Sequence, residues 1–325
     1  MQVFVTGATG VLGNAVVKRL IAEGHAVHAL SRSEADREKL HSLGAQPIQS
    51  DLFDGEALKQ ALAGCEVVLH LATRIAPTLK MAKRASWYEN DRIRREGMRT
   101  LVEAALAVGG VHTLIYPSYA FVYPDSGDRW IDSSTTEVQP TPTLQSTLDA
   151  EATVAQFVGK DRRGISLRLG SLYGPESPAT HEQLDYARKG IAALPGRSDA
   201  YLPQIFVQDG ARAIIAALTQ PIPSGIYDVV DDEPLTRGEV FAAMARVVGR
   251  KHLWQPPALL MRVMAGVVYD MMNRSLRVSN RHFKEVSGWQ PLVANARVGW
   301  ARIIEESRAA TPEPLPQAQS SLRKR

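Results

Sequence analysis

The sequence predicts an α/β protein built on a doubly wound parallel sheet, with a smaller, mostly helical part toward its C-terminal end. Two observations indicate this fold class. Short apolar runs alternate with amphipathic helical stretches through the first half of the chain, and a glycine-rich turn joins the first run to the first helix. The 325 residues are 45% hydrophobic and 22% charged, which is ordinary globular composition and enough for a large core.

Predicted strands and crossover helices follow one another in strict order, as a parallel sheet requires. The apolar runs that predict strands are 3–5, 26–30, 47–49, 67–71, 113–116 and 165–169. The amphipathic stretches that predict helices are 11–22, 33–43, 54–63, 87–108 and 146–158. This order is typical of a Rossmann-like dinucleotide-binding domain, which we place at residues 1–172.

The alternation stops at a segment rich in glycine and proline, residues 173–203. A helix at 210–218 and a strand at 225–230 resume it, so residues from about 204 to 230 are expected to complete the first domain. The rest of the chain reads as largely helical, with helices at 237–248 and 257–272. We therefore predict a substrate lobe formed by 173–203 and 231–307, followed by a disordered tail at 308–325, which carries three prolines and few apolar side chains.

Charge and cysteine content exclude several classes of protein. The net charge of +4 is spread along the chain without a basic stripe, so no nucleic-acid partner is expected. The single cysteine, Cys65, excludes an internal disulfide and a cysteine zinc site, and we expect no metal. The longest apolar stretch contains Arg262 and Asp270 and is too short to span a bilayer, and the chain opens on a strand rather than a leader. We therefore expect a cytoplasmic protein with no membrane partner.

The turn between the first strand and the first helix carries three glycines with a defined spacing, Gly7, Gly10 and Gly13. Gly7 allows the tight turn, Gly10 lets the backbone approach a pyrophosphate, and Gly13 lets the helix pack closely on the strand. Free amides at the helix start then bind phosphate. This motif predicts a dinucleotide site to which Thr9, Val11 and Leu12 also contribute.

The end of the second strand indicates which dinucleotide is bound. An NAD-preferring site normally has a carboxylate there to bind the ribose diol. This chain instead has Ser31 and Arg32, with no carboxylate before Glu34. A hydroxyl and a guanidinium suit a 2'-phosphate, so the sequence favours NADP(H) over NAD(H).

Taken together, these segments resemble the extended short-chain dehydrogenase/reductase superfamily of NAD-dependent epimerases and dehydratases, over roughly residues 1–305. Further matching segments are 50–52, 69–73, 88–90, 168–175, 206–211 and 225–229. The resemblance implies a small-molecule substrate held where the second lobe closes over the cofactor, and a homodimer formed through the helices at 87–108 and 146–158. It implies a structural role for His70 inside its apolar strand. The further cofactor-binding residues that it implies are Asp51, Leu52, Leu71, Ala72, Thr73, Asn90 and Ser171.

The catalytic residues of that superfamily are a Tyr and a Lys one helical turn apart and a Ser or Thr on the fifth strand. Aligning the segment that ends in Val122 and Tyr123 places Tyr119 at the serine position, with Ser118 just before it. The following helix places Thr143 at the tyrosine position and Thr147 at the lysine position. No other Tyr-x-x-x-Lys occurs in the chain. The resemblance therefore covers the cofactor end and departs from the pattern at every catalytic position.

Three interpretations are compatible with a cofactor end that matches the superfamily and catalytic positions that do not. In the first, the protein is an NADP(H)-dependent oxidoreductase that reduces a small carbonyl or unsaturated compound, with Tyr119 as the proton donor. In the second, the chemistry is lost and the chain senses or scaffolds the cofactor. In the third, the pocket serves a non-redox reaction of the isomerase or lyase type, with Asp149, Glu151 or a residue of the second lobe as the acid or base. The first is the interpretation that the sequence favours.

Overall fold

A seven-stranded parallel sheet forms the centre of the protein. This computed structural model describes residues 1–75 and 80–309. The strands, in chain order, are β1 (Gln2–Thr6), β2 (Ala26–Ser31), β3 (Gln46–Gln49), β4 (Val67–His70), β5 (Thr113–Tyr119), β6 (Trp130–Ile131), β7 (Arg163–Leu169), β8 (Ser171–Tyr173), β9 (Tyr201–Leu202), β10 (Gln204–Phe206), β11 (Gly225–Val229), β12 (Leu235–Thr236) and β13 (Arg277–Val278). The main sheet runs in the order β11-β7-β5-β4-β1-β2-β3 with every neighbouring pair parallel, which confirms the predicted fold class.

The strand order reverses beside β1. The chain passes from β1 outward to β2 and β3, then returns to the other side of β1 to add β4, β5, β7 and β11. At such a reversal the connections leave in opposite directions, and a crevice opens at the carboxyl ends of the strands. The ends of β1, β4 and β5 therefore border the place where a ligand of this fold binds.

Helices cover both faces of the sheet. They are α1 (Val11–Ala22), α2 (Glu34–Ser42), α3 (Gly55–Ala61), α4 (Tyr88–Arg92), α5 (Met98–Val108), α6 (Gln145–Phe157), α7 (Pro178–Arg188), α8 (Val207–Thr219), α9 (Arg237–Val247), α10 (Ala258–Ala265), α11 (Tyr269–Met272), α12 (Arg281–Ser287) and α13 (Ala296–Ala309). Because side chains of a strand alternate between faces, Val3 and Val5 pack with α1 and α8, whereas Phe4 packs with α3, α5 and α6. The two faces thus have separate apolar cores.

The helix predicted at 87–108 is continuous in direction but changes its winding. Between α4 and α5, residues Ile93–Gly97 form a π turn, which makes room for one more residue per turn. Gly97 lies against Leu52, where an added Cβ would stand 2.6 Å from Leu52 Cδ2. The π turn places Arg94 inside the protein, with 5% of its surface exposed.

The helix predicted at 257–272 is interrupted in the structure. Gly266 takes a φ of +50°, and an added Cβ would lie 2.5 Å from the carbonyl oxygen of Ala82. The chain therefore breaks into α10 and α11 where the apolar pattern alone predicted one helix. Leu259 and Val263 on α10 are 76% and 73% exposed, so this side of the helix does not pack into a core among the described residues.

Two further apolar clusters include the C-terminal elements. One includes Trp87, Phe121 and Leu276. The other surrounds Trp300, which is fully buried on α13, the helix that packs against α9, with its ring centroid 5.9 Å from that of Tyr173. Helix α13 ends at Ala309, two residues into the predicted tail, and residues 310–325 lie outside the described part of the chain. The boundaries assigned to the two domains stay a prediction. Among the described residues, no helix has the length and hydropathy of a membrane span.

Candidate active site

The glycine turn is shaped by backbone contacts that exclude side chains. Gly7 has a φ of +70°, and a Cβ there would lie 2.5 Å from the backbone nitrogen of Ala72. A Cβ at Gly13 would collide with the carbonyl oxygen of Gly7 and stand 2.9 Å from Ala8 Cα. Gly10 begins α1 without a side-chain cap, and the first turn of α1 has no acidic residue. The first amides of the helix are therefore free for a phosphate, and the turn fits a dinucleotide pyrophosphate.

The residues next to this turn form the rest of its surface. Thr9 and Val11 are half-buried and Leu12 is buried. Lys39 of α2 reaches back to the turn, where its Nζ donates to the carbonyl oxygen of Thr9 at 2.8 Å. Lys39 was missed by the sequence reasoning, since an exposed helical lysine carries no signal of this contact.

At the end of β2 the two residues assigned to the 2'-phosphate face different surroundings. Ser31 is buried, and its hydroxyl donates to the carbonyl oxygen of Ile48 in β3 at 3.3 Å. Arg32 is exposed. Of the two, Arg32 is the side chain that the structure leaves open to a ligand.

The ends of β1 and β4 are joined at the crevice. The backbone of Leu71 donates to the carbonyl oxygen of Thr6 at 3.1 Å, and Ala72 N approaches Thr6 Oγ1 at 3.4 Å. Thr73 is exposed just beyond. On the neighbouring segment after β3, Asp51 is exposed and its Oδ1 accepts from Phe53 N at 3.0 Å. Leu71, Ala72 and Thr73 therefore lie at the crevice beside the glycine turn, and their contact with a cofactor stays a prediction.

Tyr119 and Ser118 occupy the end of β5 and point to opposite sides of it. The Tyr119 ring is half-buried and stacks on Phe121 with ring centroids 4.5 Å apart. Burial raises the pKa of Tyr119 to about 12, while a hydrogen bond with the Ser171 side chain and the charges of Arg94 and Arg237 lower it. A phenol in this state keeps its proton at neutral pH. It is a donor rather than a base.

Ser118 and Glu151 belong instead to a buried ionic network behind the strand. The Ser118 hydroxyl donates to Glu151, whose carboxylate is held by Arg168 through Nε at 3.0 Å and Nη2 at 2.8 Å. Arg168 Nη1 lies 2.9 Å from Tyr123 Oη, which donates to Asp228 Oδ1 at 2.8 Å. Burial raises the pKa of Asp228 to about 7. Each charge of this network is engaged within it.

The residues proposed for a non-redox reaction are therefore occupied elsewhere. Glu151 accepts two hydrogen bonds from the Arg168 guanidinium. Asp149 lies toward the surface, where its Oδ2 is 2.5 Å from Arg95 Nε and its Oδ1 accepts from Gln145. The sequence signal for the network was present: Arg168 is a charged residue inside an apolar strand, and a buried charge needs a partner.

Thr143 and Thr147 differ in their hydrogen bonds. Thr143 precedes α6 and is buried, with its Oγ1 2.9 Å from Thr141 Oγ1. Thr147 lies in the first turn of α6, fully buried, and its Oγ1 has no hydrogen-bond partner among the described residues. Neither residue offers a group that titrates near neutral pH.

Thr147 is one of several buried residues with unpaired polar atoms, which we term the inner polar cluster. Its members are His70, Asn90, Arg94, Tyr116 and Thr147, each with a buried side-chain nitrogen or oxygen that lacks a partner in the described part of the chain. His70 and Tyr116 stack on neighbouring strands, 6.1 Å apart. The start of α6 is tied to α4 because Ser146 donates to Asp91 at 2.7 Å. Several unpaired buried groups in one place are rare in folded proteins and mark a candidate ligand site.

Within the cluster the surroundings of His70 and Asn90 are defined. His70 Nδ1 lies 2.8 Å from Thr6 Oγ1, and burial lowers the pKa of His70 to about 4, which keeps the ring neutral. Asn90 Oδ1 accepts from the backbone of Arg74 at 2.9 Å. The sequence reasoning had assigned Asn90 to the cofactor but missed Arg94, which lies four residues later on the same helical side. No group of His, Cys, Asp and Glu suited to a metal ion occurs within residues 1–75 and 80–309.

A comparison with known protein families identifies the family of this chain. The family model described as "NAD dependent epimerase/dehydratase family" matches residues 3–229. The chain belongs to this family. The expectation from the resemblance is confirmed, and the family together with its reductase-named relatives supports an oxidoreductase or epimerase of the short-chain dehydrogenase/reductase type with a nicotinamide cofactor.

Two curated relatives cover most of the chain. A 3-diazoavenalumate denitrifying reductase from Streptomyces sp is 30% identical over an alignment of 322 positions, gaps included, that covers 93% of this chain and 100% of that protein. A 2-alkyl-3-oxoalkanoate reductase from Shewanella oneidensis is 27% identical over an alignment of 295 positions, gaps included, that covers 84% of this chain and 73% of that protein. Both are named as reductases.

Solved structures show the same fold at lower identity. The human epimerase family protein SDR39U1 (isoform 2) with NADPH has a TM-score of 0.79 at 21% identity, over 94% of this chain and 99% of that one. The UDP-glucose 4-epimerase of Thermus thermophilus in complex with NAD has a TM-score of 0.74 at 23% identity, over 96% and 100%.

Proposed function

We propose that the protein is an NADPH-dependent reductase of a small carbonyl or unsaturated compound, with Tyr119 as the proton donor. The observation that carries this proposal is the position of the Tyr119 phenol. It lies at the carboxyl end of β5, beside Ser171 of β8, at the edge of the sheet where this fold binds its ligands. Its alternatives on α6, Thr143 and Thr147, carry no acidic group.

The chemistry divides between the cofactor and the chain. When bound, the nicotinamide supplies a hydride to the substrate carbon. The chain supplies the proton: the O–H bond of Tyr119 breaks as a new O–H bond forms at the substrate oxygen. Stacking on Phe121 fixes the plane of the phenol ring. A pKa of about 12 keeps Tyr119 protonated at neutral pH, which is the form that a proton donor in a reduction requires.

The preference for NADPH is supported by the charge at the end of β2. Arg32 is exposed there, Lys39 contacts the glycine turn, and the first carboxylate after the strand, Glu34, lies within hydrogen-bonding distance of Arg37. A 2'-phosphate meets two cations in this region, whereas a ribose diol meets no free carboxylate acceptor.

For the substrate we propose a compound that carries a carboxylate. Both reductases described above have carboxylates as named substrates. Arg237 of α9 acts on Tyr119 through its charge, and its Nε has no partner among the described residues. Its Nη atoms are held by the carbonyl oxygens of Ala200, Met272 and Arg274, so this guanidinium would favour an anionic substrate through its charge rather than through a direct contact.

Two titrations and two variants test the proposal. NADPH should bind in calorimetry much more tightly than NADH, and Arg32→Ala should weaken NADPH about tenfold, the effect of one phosphate contact of about 1.4 kcal/mol. With oxo- and unsaturated carboxylic acids as substrates, Tyr119→Phe should lower kcat by about a hundredfold while NADPH binding is kept. Tyr186→Phe, on α7, is the matched control and should behave as the unmodified protein.

The alternatives are separate outcomes of the same experiment. Tight NADPH binding without turnover of any substrate would support a cofactor sensor. Product formation without change in the nicotinamide absorbance would support a non-redox enzyme. A cytoplasmic location and a homodimer through α5 and α6 stay predictions, and the second is tested by the mass of the protein in solution.

A further inference from the structure

The outward side of α10 is apolar, whereas a helix at a protein surface normally carries polar side chains there. Large apolar side chains are exposed more densely here than anywhere else in the described part of the chain. We term this group the outer apolar face, and its members are Leu259, Leu260, Val263, Met264 and Val267. Leu259 and Val263 are one helical turn apart, and so are Leu260 and Met264, so these four side chains form one continuous stripe.

The opposite side of the same helix is anchored in the protein. Met261 is buried, and Ala265 and Val268 pack into the apolar cluster that includes Trp87. The helix is therefore apolar on its inner and its outer side. Its inner side has found a core to pack against, and its outer side has found none among the described residues. A helix with this pattern is suited to a second apolar surface outside the protein.

The segment that holds the end of α10 brings positive charge to the outer apolar face. The backbone nitrogen of Val267 donates to the carbonyl oxygen of Ala82 at 3.1 Å. Lys80 and Lys83 lie two residues before and one residue after Ala82, and both are exposed. Arg262, on α10 itself, is exposed beside the apolar stripe. The apolar side chains are thus bordered by cations.

Carboxylates are missing from both segments that form this surface. Residues 80–88 contain no Asp or Glu. The chain between Glu239 and Asp270 has none either, although it contains four arginines and lysines. Asp270, on α11, acts on Arg274 through its charge, and the third cation of the first segment, Arg84, is paired with Asp91. The surroundings of the outer apolar face are therefore cationic.

We propose that the outer apolar face of α10 docks on the surface of a lipid bilayer that contains anionic lipids. The apolar side chains enter the boundary between headgroups and acyl chains, while Lys80, Lys83 and Arg262 meet the lipid phosphates. Trp254, which is exposed four residues before α10, is of the type that collects at this boundary. The inference goes beyond the proposed reductase function and does not depend on it. It revises the expectation of no membrane partner, which rested on the lack of a spanning segment.

Two other occupants fit the outer apolar face less well. A second copy of the chain, related by a two-fold axis, would bring this cationic surface against itself, and like charges oppose such a contact. A small substrate binds in a concave site that buries most of the ligand. The outer side of α10 is the convex surface of a helix. An anionic bilayer matches both its apolar stripe and the charge around it.

Binding to vesicles tests the proposal with the full-length protein. Vesicles of phosphatidylcholine with about one third phosphatidylglycerol should bind the protein, and vesicles of phosphatidylcholine alone should bind it about tenfold more weakly or not at all. Leu259→Ser with Val263→Ser should weaken binding to the mixed vesicles by about tenfold or more, because two side chains that would enter the bilayer are lost. Leu292→Ser with Val298→Ser, which changes two exposed apolar side chains elsewhere, is the matched control and should bind normally.

The charges are tested separately. Lys80→Gln and Lys83→Gln should each weaken binding to the mixed vesicles by about fivefold, and added salt should reduce this difference. All the changed side chains are exposed, so thermal unfolding should be the same in every variant and in the unmodified protein. A variant that binds less but unfolds normally has lost contact with lipid and not its fold.

A fluorescent label reports directly whether the outer apolar face enters the bilayer. Met264→Cys is labelled with an environment-sensitive dye, and the single native cysteine, Cys65, is buried and stays unlabelled. With the mixed vesicles the emission should shift to shorter wavelength, and brominated acyl chains should quench it. The same label on Leu292→Cys should show neither effect.

The outcomes separate the possible occupants. If the unmodified protein binds neither kind of vesicle, the inference is wrong. Binding that depends on Lys80 and Lys83 but not on Leu259 and Val263 overturns it too, because charge alone then holds the protein and α10 stays out of the lipid. A dimer in ultracentrifugation that Leu259→Ser with Val263→Ser separates would assign the face to a second copy instead. These measurements use no substrate or cofactor, so their failure is distinct from failure of the reductase function.

Discussion

The cofactor end of the crevice is formed by backbone atoms, whereas the catalytic end is formed by side chains. At the cofactor end, backbone atoms of Gly7, Gly13 and Ala72 make the surface, and what matters is the absence of side chains. At the catalytic end, the proposed chemistry depends on a side chain, the phenol of Tyr119. A backbone site keeps its shape while surface side chains vary, whereas a side-chain site changes with each substitution. The comparison explains how one crevice can match a family closely at one end and depart from it at the other.

The largest expected effect is at the catalytic end, in the network behind β5. Arg168→Met should lower the free energy of unfolding by about 3–5 kcal/mol, because it leaves the buried carboxylate of Glu151 without its partner. Denaturant unfolding followed by circular dichroism measures this. The double variant Arg168→Met with Glu151→Leu should recover most of the loss. If Arg168→Met alone is as stable as the unmodified protein, the ion pair between Arg168 and Glu151 does not contribute to stability. That result would weaken the contrast between a backbone-defined cofactor end and a side-chain-defined catalytic end.

At the cofactor end a single methyl group should be enough to disturb the site. In Gly13→Ala the new Cβ meets the backbone of Gly7 and Ala8, so we expect a loss of about 1–3 kcal/mol in stability and a matching loss in NADPH affinity. Calorimetry and thermal unfolding measure the two quantities. The control is Gly55→Ala at the start of α3, where the nearest atom, Thr100 Cγ2, is an ordinary 3.7 Å away. Equal behaviour of both variants would contradict a backbone-defined site.

The smallest effect concerns His70, which lies between the two ends. Burial lowers the pKa of His70 to about 4. At a pH above this value and below the ordinary pKa of histidine, the unfolded chain therefore carries a proton on His70 and the folded protein does not. Stability from this group is complete above its ordinary pKa of about 6.5 and is lost as pH falls, by about 1 kcal/mol between pH 6.5 and 5.5. Comparing His70→Gln with the unmodified protein over this range should show a flatter dependence in the variant. An identical slope in both would mean that His70 is protonated in the folded state.

The fold and the cofactor turn could be predicted because their signals are local. The spacing of Gly7, Gly10 and Gly13 and the alternation of strands and helices lie within short windows of the sequence. The inward turn of Ser31 could not be predicted, because it depends on a carbonyl of the next strand. Gly266 stops its helix through contact with Ala82, far away in the chain.

The catalytic end was harder to predict for the same reason. Arg94 lies between Arg92 and Arg95 in the sequence. Nothing in the sequence shows that the π turn buries the side chain of Arg94 rather than that of a neighbouring arginine. Glu151 looks like a free carboxylate in a helix until Arg168 is seen beside it. Tyr119 could be placed by its resemblance to a family position, but its pKa depends on burial that only the folded chain provides.

The network that joins Tyr123 to Asp228 also sets an order of events during synthesis. Its two ends are 105 residues apart in the chain, and Asp228 lies in β11, the edge strand added last to the main sheet. As the chain leaves the ribosome, the glycine turn can close as soon as β4 is available to pair with β1, long before β11 emerges. Until β11 is made, Tyr123, which contacts Arg168, lacks its hydrogen-bond acceptor Asp228. A growing chain can therefore form the glycine turn earlier than the ionic network behind β5.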